Sequence, residues 1–225
     1  MIPPERDAPF VAAMETLLDT YAAPPDPARP LICFDESGKE LQTHTRAPLP
    51  AQPGQPLRED PVYGRQGSAN LFLSYAPHLG WRNVSVTTQR TAVDFALALR
   101  DLVDVHFPDA VTLIIVLDNL STHRLSALYT AFPAAEAHRL ARRLDLRFTP
   151  KHGSWLNMAE FELAVLSQQC LARRIPDRAT LEREVAAWVA ARNAVADSAH
   201  WTFTIDDART RLHRLYPLPI CDASM

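Results

Sequence analysis

Lysine is nearly absent: in 225 residues only Lys39 and Lys151 occur, so the positive charge is almost all arginine. Arginine suits bidentate phosphate contacts better than lysine does, although a GC-rich genome produces the same bias and is the simpler explanation. An excess of positive charge is also lacking. The net charge is −3 and the pI near 6.2, which excludes a basic nucleic-acid coat; any DNA contact has to come from local patches. Cysteine is scarce and odd in number. Cys33, Cys170 and Cys221 stand far apart, so neither a zinc-ligand spacing nor a disulfide framework is present. The thiols read as reduced, which fits the cytoplasm. No basic stretch followed by an apolar core opens the chain, so no signal peptide is indicated. No apolar run approaches membrane-spanning length, and there is no internal repeat.

What is present is enough hydrophobic residue, 47%, to build a core for one large domain or one domain with appendages. Residues 8–23 place Phe10, Val11, Met14, Leu17, Leu18 and Tyr21 at helical spacing. Pro24, Pro25 and Pro27 end that helix. Its apolar face predicts ordinary packing on the domain, the alternative being the tail of an upstream module. Residues 31–34 read as a strand ending at Asp35, and residues 47–67, rich in proline and glycine, as a long surface loop. Strands are predicted over 70–75, 84–87, 112–117 and 146–149. Helices are predicted over 92–106, 126–132, 134–144, 157–173 and 180–193, with a last one starting near Asp206. Strands joined by helical crossovers predict an α/β fold with a mixed sheet and helices on its faces.

Two apolar strands end in acids. Thr112-Leu113-Ile114-Ile115-Val116-Leu117 runs into Asp118, and Leu31-Ile32-Cys33-Phe34 into Asp35. A run of that kind reads as a strand buried on both faces, and a carboxylate placed next to it costs desolvation energy unless it meets a cation or a donor. Each acid alone is more simply a turn cap; the pair points to metal binding. Glu160 follows on a helix. Asn157 and Glu160 also satisfy the spacing of a capping box, so a metal-ligand reading and a capping reading compete there. Glu36 falls on the other face of the strand from Asp35 and reads as structural or as a support for the acids. His123 and His152 lie near the acids and are expected at most to contact them or DNA. Asn119 is a candidate to orient Asp118 or a phosphate. Trp155 reads as a wedge holding its loop rather than a base-stacking platform. Arg139, Arg142, Arg143, Arg147, Arg173, Arg174 and Arg178 fit a phosphate track and a solvated face equally well.

Three motifs in order, Phe34-Asp35-Glu36, Leu117-Asp118-Asn119-Leu120-Ser121-Thr122-His123 and Pro150-Lys151-His152-Gly153-Ser154-Trp155-Leu156-Asn157-Met158-Ala159-Glu160, resemble the catalytic domain of mariner-like bacterial insertion-sequence transposases, the insertion-sequence family "six-thirty". The resemblance covers nearly the whole chain. It implies a ribonuclease-H-like fold and an Asp-Asp-Glu triad of Asp35, Asp118 and Glu160 holding two Mg²⁺ or Mn²⁺ ions. It also implies metal-dependent cleavage of double-stranded DNA at transposon ends, then strand transfer into a target, in the bacterial cytoplasm. Asn119, His123, Lys151 and His152 are then contacts to the acids or to DNA. The division expected is an N-terminal helix and linker (1–30), the catalytic domain (31–217) and a C-terminal tail (218–225). The interval between Asp118 and Glu160 is longer than in many members, the extra length falling in 132–146, on the outside of the sheet. Full-length members carry helix-turn-helix modules ahead of this domain, so the chain reads as a truncated frame or the second half of a split one, with an upstream DNA-binding half and a homodimer as expected partners. The alternatives are a remnant that no longer transposes and another ribonuclease-H-like nuclease, against which the Ser154–Glu160 segment speaks.

Overall fold

The computed structural model describes residues 6–218. Helix α1 (Ala8–Ala22) opens on Asp7, whose carboxylate accepts from the Phe10 N–H at 2.9 Å and so satisfies a donor that the first turn leaves free. Strands β1 (Leu31–His44) and β2 (Tyr63–Ala76) form a long antiparallel hairpin, and β3 (Trp81–Thr87) pairs with the far side of β2. Helix α2 (Ala92–Asp101), started by a closed capping box of Thr91 and Asp94, leads to β4 (Leu113–Leu117). Helices α3 (Ser126–Ala131) and α4 (Ala134–Ala141), separated at Pro133, lead to β5 (Leu144–Phe148). Helices α5 (Met158–Leu166), α6 (Arg178–Val195) and α7 (Ile205–Arg211) follow. The sheet order is β3-β2-β1-β4-β5, antiparallel among the first three and parallel across β1, β4 and β5. The expected mixed sheet with flanking helices is therefore borne out.

Side chains alternate across a strand, and helices cover both faces of the central strands. Leu31 and Cys33 of β1 and Val116 of β4 pack with α1, α5 and α6. Ile32 and Phe34 of β1 and Leu113, Ile115 and Leu117 of β4 pack with α2, α3 and α4. This double burial explains why both strands read as unbroken apolar runs. Helix α1 lies in the first layer through Phe10, Met14, Leu17 and Tyr21, the packing its apolar face predicted.

Several boundaries differ from expectation. The first strand does not stop at Asp35 but continues to His44, and its partner begins at Tyr63, inside the stretch expected to be loop. Asp35 is a strand end only towards β4, where pairing stops at Cys33 and Val116; towards β2 the ladder runs on from Asp35–Leu73 to His44–Tyr63, with a bulge between Glu40 and Gln42. The extension beyond Asp35 buries little besides Leu41 and the Glu36 side chain. It is held by backbone pairing, which leaves no apolar alternation in the sequence. Two helices also finish differently from a plain α-helix, α2 in a π turn at Leu102–His106 and α5 in one at Ser167–Leu171. Cys33 and Cys170 are free and buried. Cys221 and most of the expected 218–225 tail lie outside the described residues.

Candidate active site

The parallel register sets Cys33 beside Val116, so two residues further on Asp35 and Asp118 stand level with each other. Asp35 shares the face of Cys33, towards α5. Its carboxylate accepts from the Glu36 N–H at 2.8 Å. Burial pushes Asp35 up to about 7, outweighing that hydrogen bond, and repulsion from Glu160, Asp118 and Glu36 adds to the rise. Glu160, Asp118 and Glu36 thus lie near enough for their charges to act on Asp35.

Asp118 is handled in the opposite way. Its carboxyl is held below the usual range, first by His123, against burial, with the Leu120 N–H and Arg90 adding to the effect. Oδ1 lies 2.7 Å from His123 Nδ1 and accepts from the Leu120 N–H at 3.1 Å. The histidine ring is fully buried, and its other nitrogen, Nε2, lies 2.8 Å from Oε2 of Glu36, a side chain only 4% exposed. These two atoms approach out of line, so the contact is a charge pair rather than an aligned hydrogen bond. Phe34 and Phe95 pack on the ring. Burial works against a charged imidazole here, but Asp118 and Glu36 prevail and push His123 up to about 9. Arg90, half exposed, sits 3.9 Å from the second oxygen of Glu36. Glu36 does point away from Asp35, as strand alternation requires. Its partner His123 was not legible, because the two meet only when β1 and the loop after β4 fold together; Arg90, in the loop before α2, was missed altogether.

Glu160 is delivered by its neighbour Asn157. Asn157 caps α5 by accepting from the Ala159 N–H at 3.1 Å, while its amide donates to the Phe34 carbonyl at 2.9 Å. One buried side chain therefore starts the helix and pins it to the strand residue before Asp35. The capping box does not close: the Asn157 N–H donates to Ser154 instead, and among the described residues the Glu160 carboxylate has no hydrogen bond or ion pair. The competition between cap and free carboxylate is resolved in favour of the free carboxylate. Further along α5, Glu162 turns the other way and is buried against Arg82 of β3, with Nε 2.7 Å from its carboxylate and Arg192 of α6 at 3.4 Å. Helical spacing predicts Phe161, Val165 and Leu166 on the buried side of this helix, but Phe161 is 59% exposed, and Ala164 and Ser167 are exposed with it. The buried face is instead Met158, Ala159, Glu162 and Leu166, because the Arg82 ion pair takes a place that hydrophobic spacing assigns to an apolar residue.

The remaining residues divide clearly. Asn119 donates to the Thr149 carbonyl, tying the loop after β4 to the loop after β5. Lys151 and His152 are exposed on the turn after β5, where His152 adopts a left-handed backbone, φ 65°. Trp155 packs on Trp201 and Phe203, and the Tyr21 hydroxyl donates to the Leu156 carbonyl at 2.6 Å; the tryptophan holds its loop, as expected. The arginines proposed as a phosphate track are mostly engaged within the chain. Arg139 pairs with Asp104, Arg143 donates to the carbonyls of Phe107, Pro108 and Ala110, Arg147 meets Asp145, and Arg173 meets Glu184. Arg174 donates to the Asp60 carbonyl and Arg178 pairs with Glu182. Among the described residues no group of three or more His, Cys, Asp or Glu side chains stands placed to hold a metal ion. No helix among them is long and apolar enough to cross a membrane.

A mixed sheet with level acids at its centre and a third acid on an adjoining helix defines the ribonuclease-H-like class. The chain belongs to the DDE superfamily endonucleases, whose family model matches residues 30–182. It is similar in structure to the Mos1 mariner paired end complex with Mn, with TM-score 0.58 and 16% identity over 95% of this chain and 63% of that one. It is similar also to the mariner Mos1 paired end complex with Mg, with TM-score 0.56 and 14% identity over 97% and 66%. The Mos1 Strand Transfer Complex gives TM-score 0.55 and 16% identity over 81% and 53%. The chain therefore spans less than two-thirds of the first of these. No curated protein matches it.

Proposed function

We propose that this chain is the catalytic part of an insertion-sequence transposase, cutting double-stranded DNA at transposon ends and joining the freed end to a target, with Asp35, Asp118 and Glu160 as its catalytic, cation-binding acids. The observation that carries this is the placing of Asp35 and Asp118 level with each other beyond the paired ends of β1 and β4, with Glu160 on a helix that Asn157 pins to the strand residue before Asp35. Like charges brought together in a partly buried place are unfavourable unless something positive joins them. The donor set is all carboxylate oxygen, which suits Mg²⁺ or Mn²⁺, and an open arrangement suits ions that keep several waters and share phosphate oxygens. The Mos1 complexes with Mn and with Mg support the same choice of ion, and two ions are expected in the active complex. When bound, such ions stabilise the attacking and leaving oxygens of an in-line displacement at phosphorus.

The chain's own residues prepare that chemistry. Asp118 stays ionised through His123, Asp35 gives up its proton once positive charge is present, and Asn157 brings Glu160 to the strand carrying Asp35. Lys151 and His152, exposed on the turn after β5, meet DNA phosphate; Asn119 and His123, already engaged, do not. With most arginines used internally, recognition of transposon ends falls to an upstream DNA-binding half, and pairing of ends to a homodimer. Calorimetric titration of the chain with Mn²⁺, together with Mn²⁺-dependent nicking of supercoiled plasmid, tests the reading. Binding and nicking, both lost in Asp118→Asn, are expected; no Mn²⁺ binding by folded protein with the triad intact overturns it.

A further inference from the structure

We propose that Glu36 and His123 are positioning residues that hold Asp118 by one oxygen and leave its other oxygen for the cation. The inference rests on the metal-binding reading above. Asp118 follows the last residue of β4, and its side chain is 42% exposed; nothing in the strand itself prevents it from turning to solvent. The ring of His123 stops it. That ring is fully buried against Phe34 and Phe95, so its direction is set by packing, and its Nδ1 stands 2.7 Å from Oδ1. The same oxygen accepts from the Leu120 N–H, so both anchors act on Oδ1 and Oδ2 is left without a partner among the described residues.

Glu36 answers the far side of the ring: its Oε2 lies 2.8 Å from Nε2, and its own side chain is almost fully buried. It also fixes which way the ring faces, because each nitrogen has a carboxylate to answer. Partners of this kind, lying behind the ligands, typically change metal affinity by about 10–100-fold when removed. A buried charge pair is otherwise weak evidence of stabilisation, since well-packed apolar residues often replace one at no loss.

That contrast supplies the test. Wild type, Glu36→Gln and the double variant Glu36→Leu/His123→Phe are titrated with Mn²⁺ by calorimetry, and their melting is followed in EDTA. Glu36→Gln keeps the volume of the side chain and is expected to bind Mn²⁺ more weakly than wild type. The double variant replaces the buried pair with apolar groups and is expected to melt within a few degrees of wild type, yet to lose about 10-fold or more in Mn²⁺ affinity. Wild-type affinity in the folded double variant overturns the proposal and leaves Glu36 and His123 as packing residues only. Wild-type affinity in Glu36→Gln overturns the part assigned to Glu36. If the double variant does not fold, the smaller variant His123→Asn decides the role of the ring by the same measurement. Failure of wild type itself to bind Mn²⁺ overturns instead the metal-binding reading on which the proposal stands.

Discussion

Asp35→Asn should make the metal-free protein more stable at pH 8. The folded protein pushes Asp35 from its ordinary 3.8 up to about 7. A carboxyl raised by folding favours the native state while it carries its proton, so its contribution is complete below about pH 4 and is lost as the pH rises through 7. At pH 8 the ionised group then costs roughly 1.4 kcal/mol for each of about three pH units, about 4 kcal/mol; residual exposure and solvent screening bring this to about 2–4 kcal/mol. Asparagine has nearly the same shape and can still accept from the Glu36 N–H, but it carries no charge against Asp118 and Glu160. The variant should therefore exceed wild type by about 2–4 kcal/mol at pH 8, which for a chain of this size is on the order of 5–15 °C in Tm, and match it at pH 4. Urea denaturation in EDTA at both pH values reads the difference. Addition of Mn²⁺ at pH 8 should reverse the order, stabilising wild type and leaving the variant unmoved. A variant less stable than wild type in EDTA at pH 8 would refute the argument, because it would mean that Asp35 is held by attraction rather than crowded by repulsion.

Glu160→Gln should leave melting in EDTA unchanged or slightly raised, since its carboxylate has no partner to lose and its charge repels Asp35, while abolishing Mn²⁺-dependent nicking; retained nicking would remove Glu160 from the triad. Glu162→Gln should do the reverse, costing about 3–5 kcal/mol by leaving Arg82 buried without its counter-charge, with nicking per folded molecule largely kept. Asn157→Ala removes a helix cap and the link to the Phe34 carbonyl together and should cost about 2–3 kcal/mol, with weaker Mn²⁺ binding in the folded protein; an unchanged Mn²⁺ affinity would show that Glu160 does not need this pin. DNA binding by the chain alone should be weak, indifferent to sequence and steeply reduced by salt, which gel shifts on unrelated duplexes across a salt series will show; tight binding to one duplex at physiological salt would contradict it.

The apolar runs before Asp35 and Asp118 were enough, in sequence, to predict a helix-flanked mixed sheet and to single out two acids, whereas Glu160 was set apart from a helix cap only by the resemblance of its motif. The reason is physical: strands buried on both faces must be apolar throughout, and a helix start needs its cap in a fixed place. The far half of the β1–β2 hairpin left no such mark, because Ser37 to His44 are held mainly by backbone pairing that any polar residue can make. Only tertiary structure set the charges against one another. It placed His123 between Glu36 and Asp118, left Glu160 free while Glu162 was taken by Arg82, and turned Phe161 outward. It also gave some of the arginines partners tens of residues away, Arg139 with Asp104 and Arg143 with the carbonyls of Phe107, Pro108 and Ala110. Local spacing tells which face of a helix a charge occupies; which opposite charge waits there depends on the meeting of distant segments, and that meeting decided that Glu162 is paired and Glu160 is not.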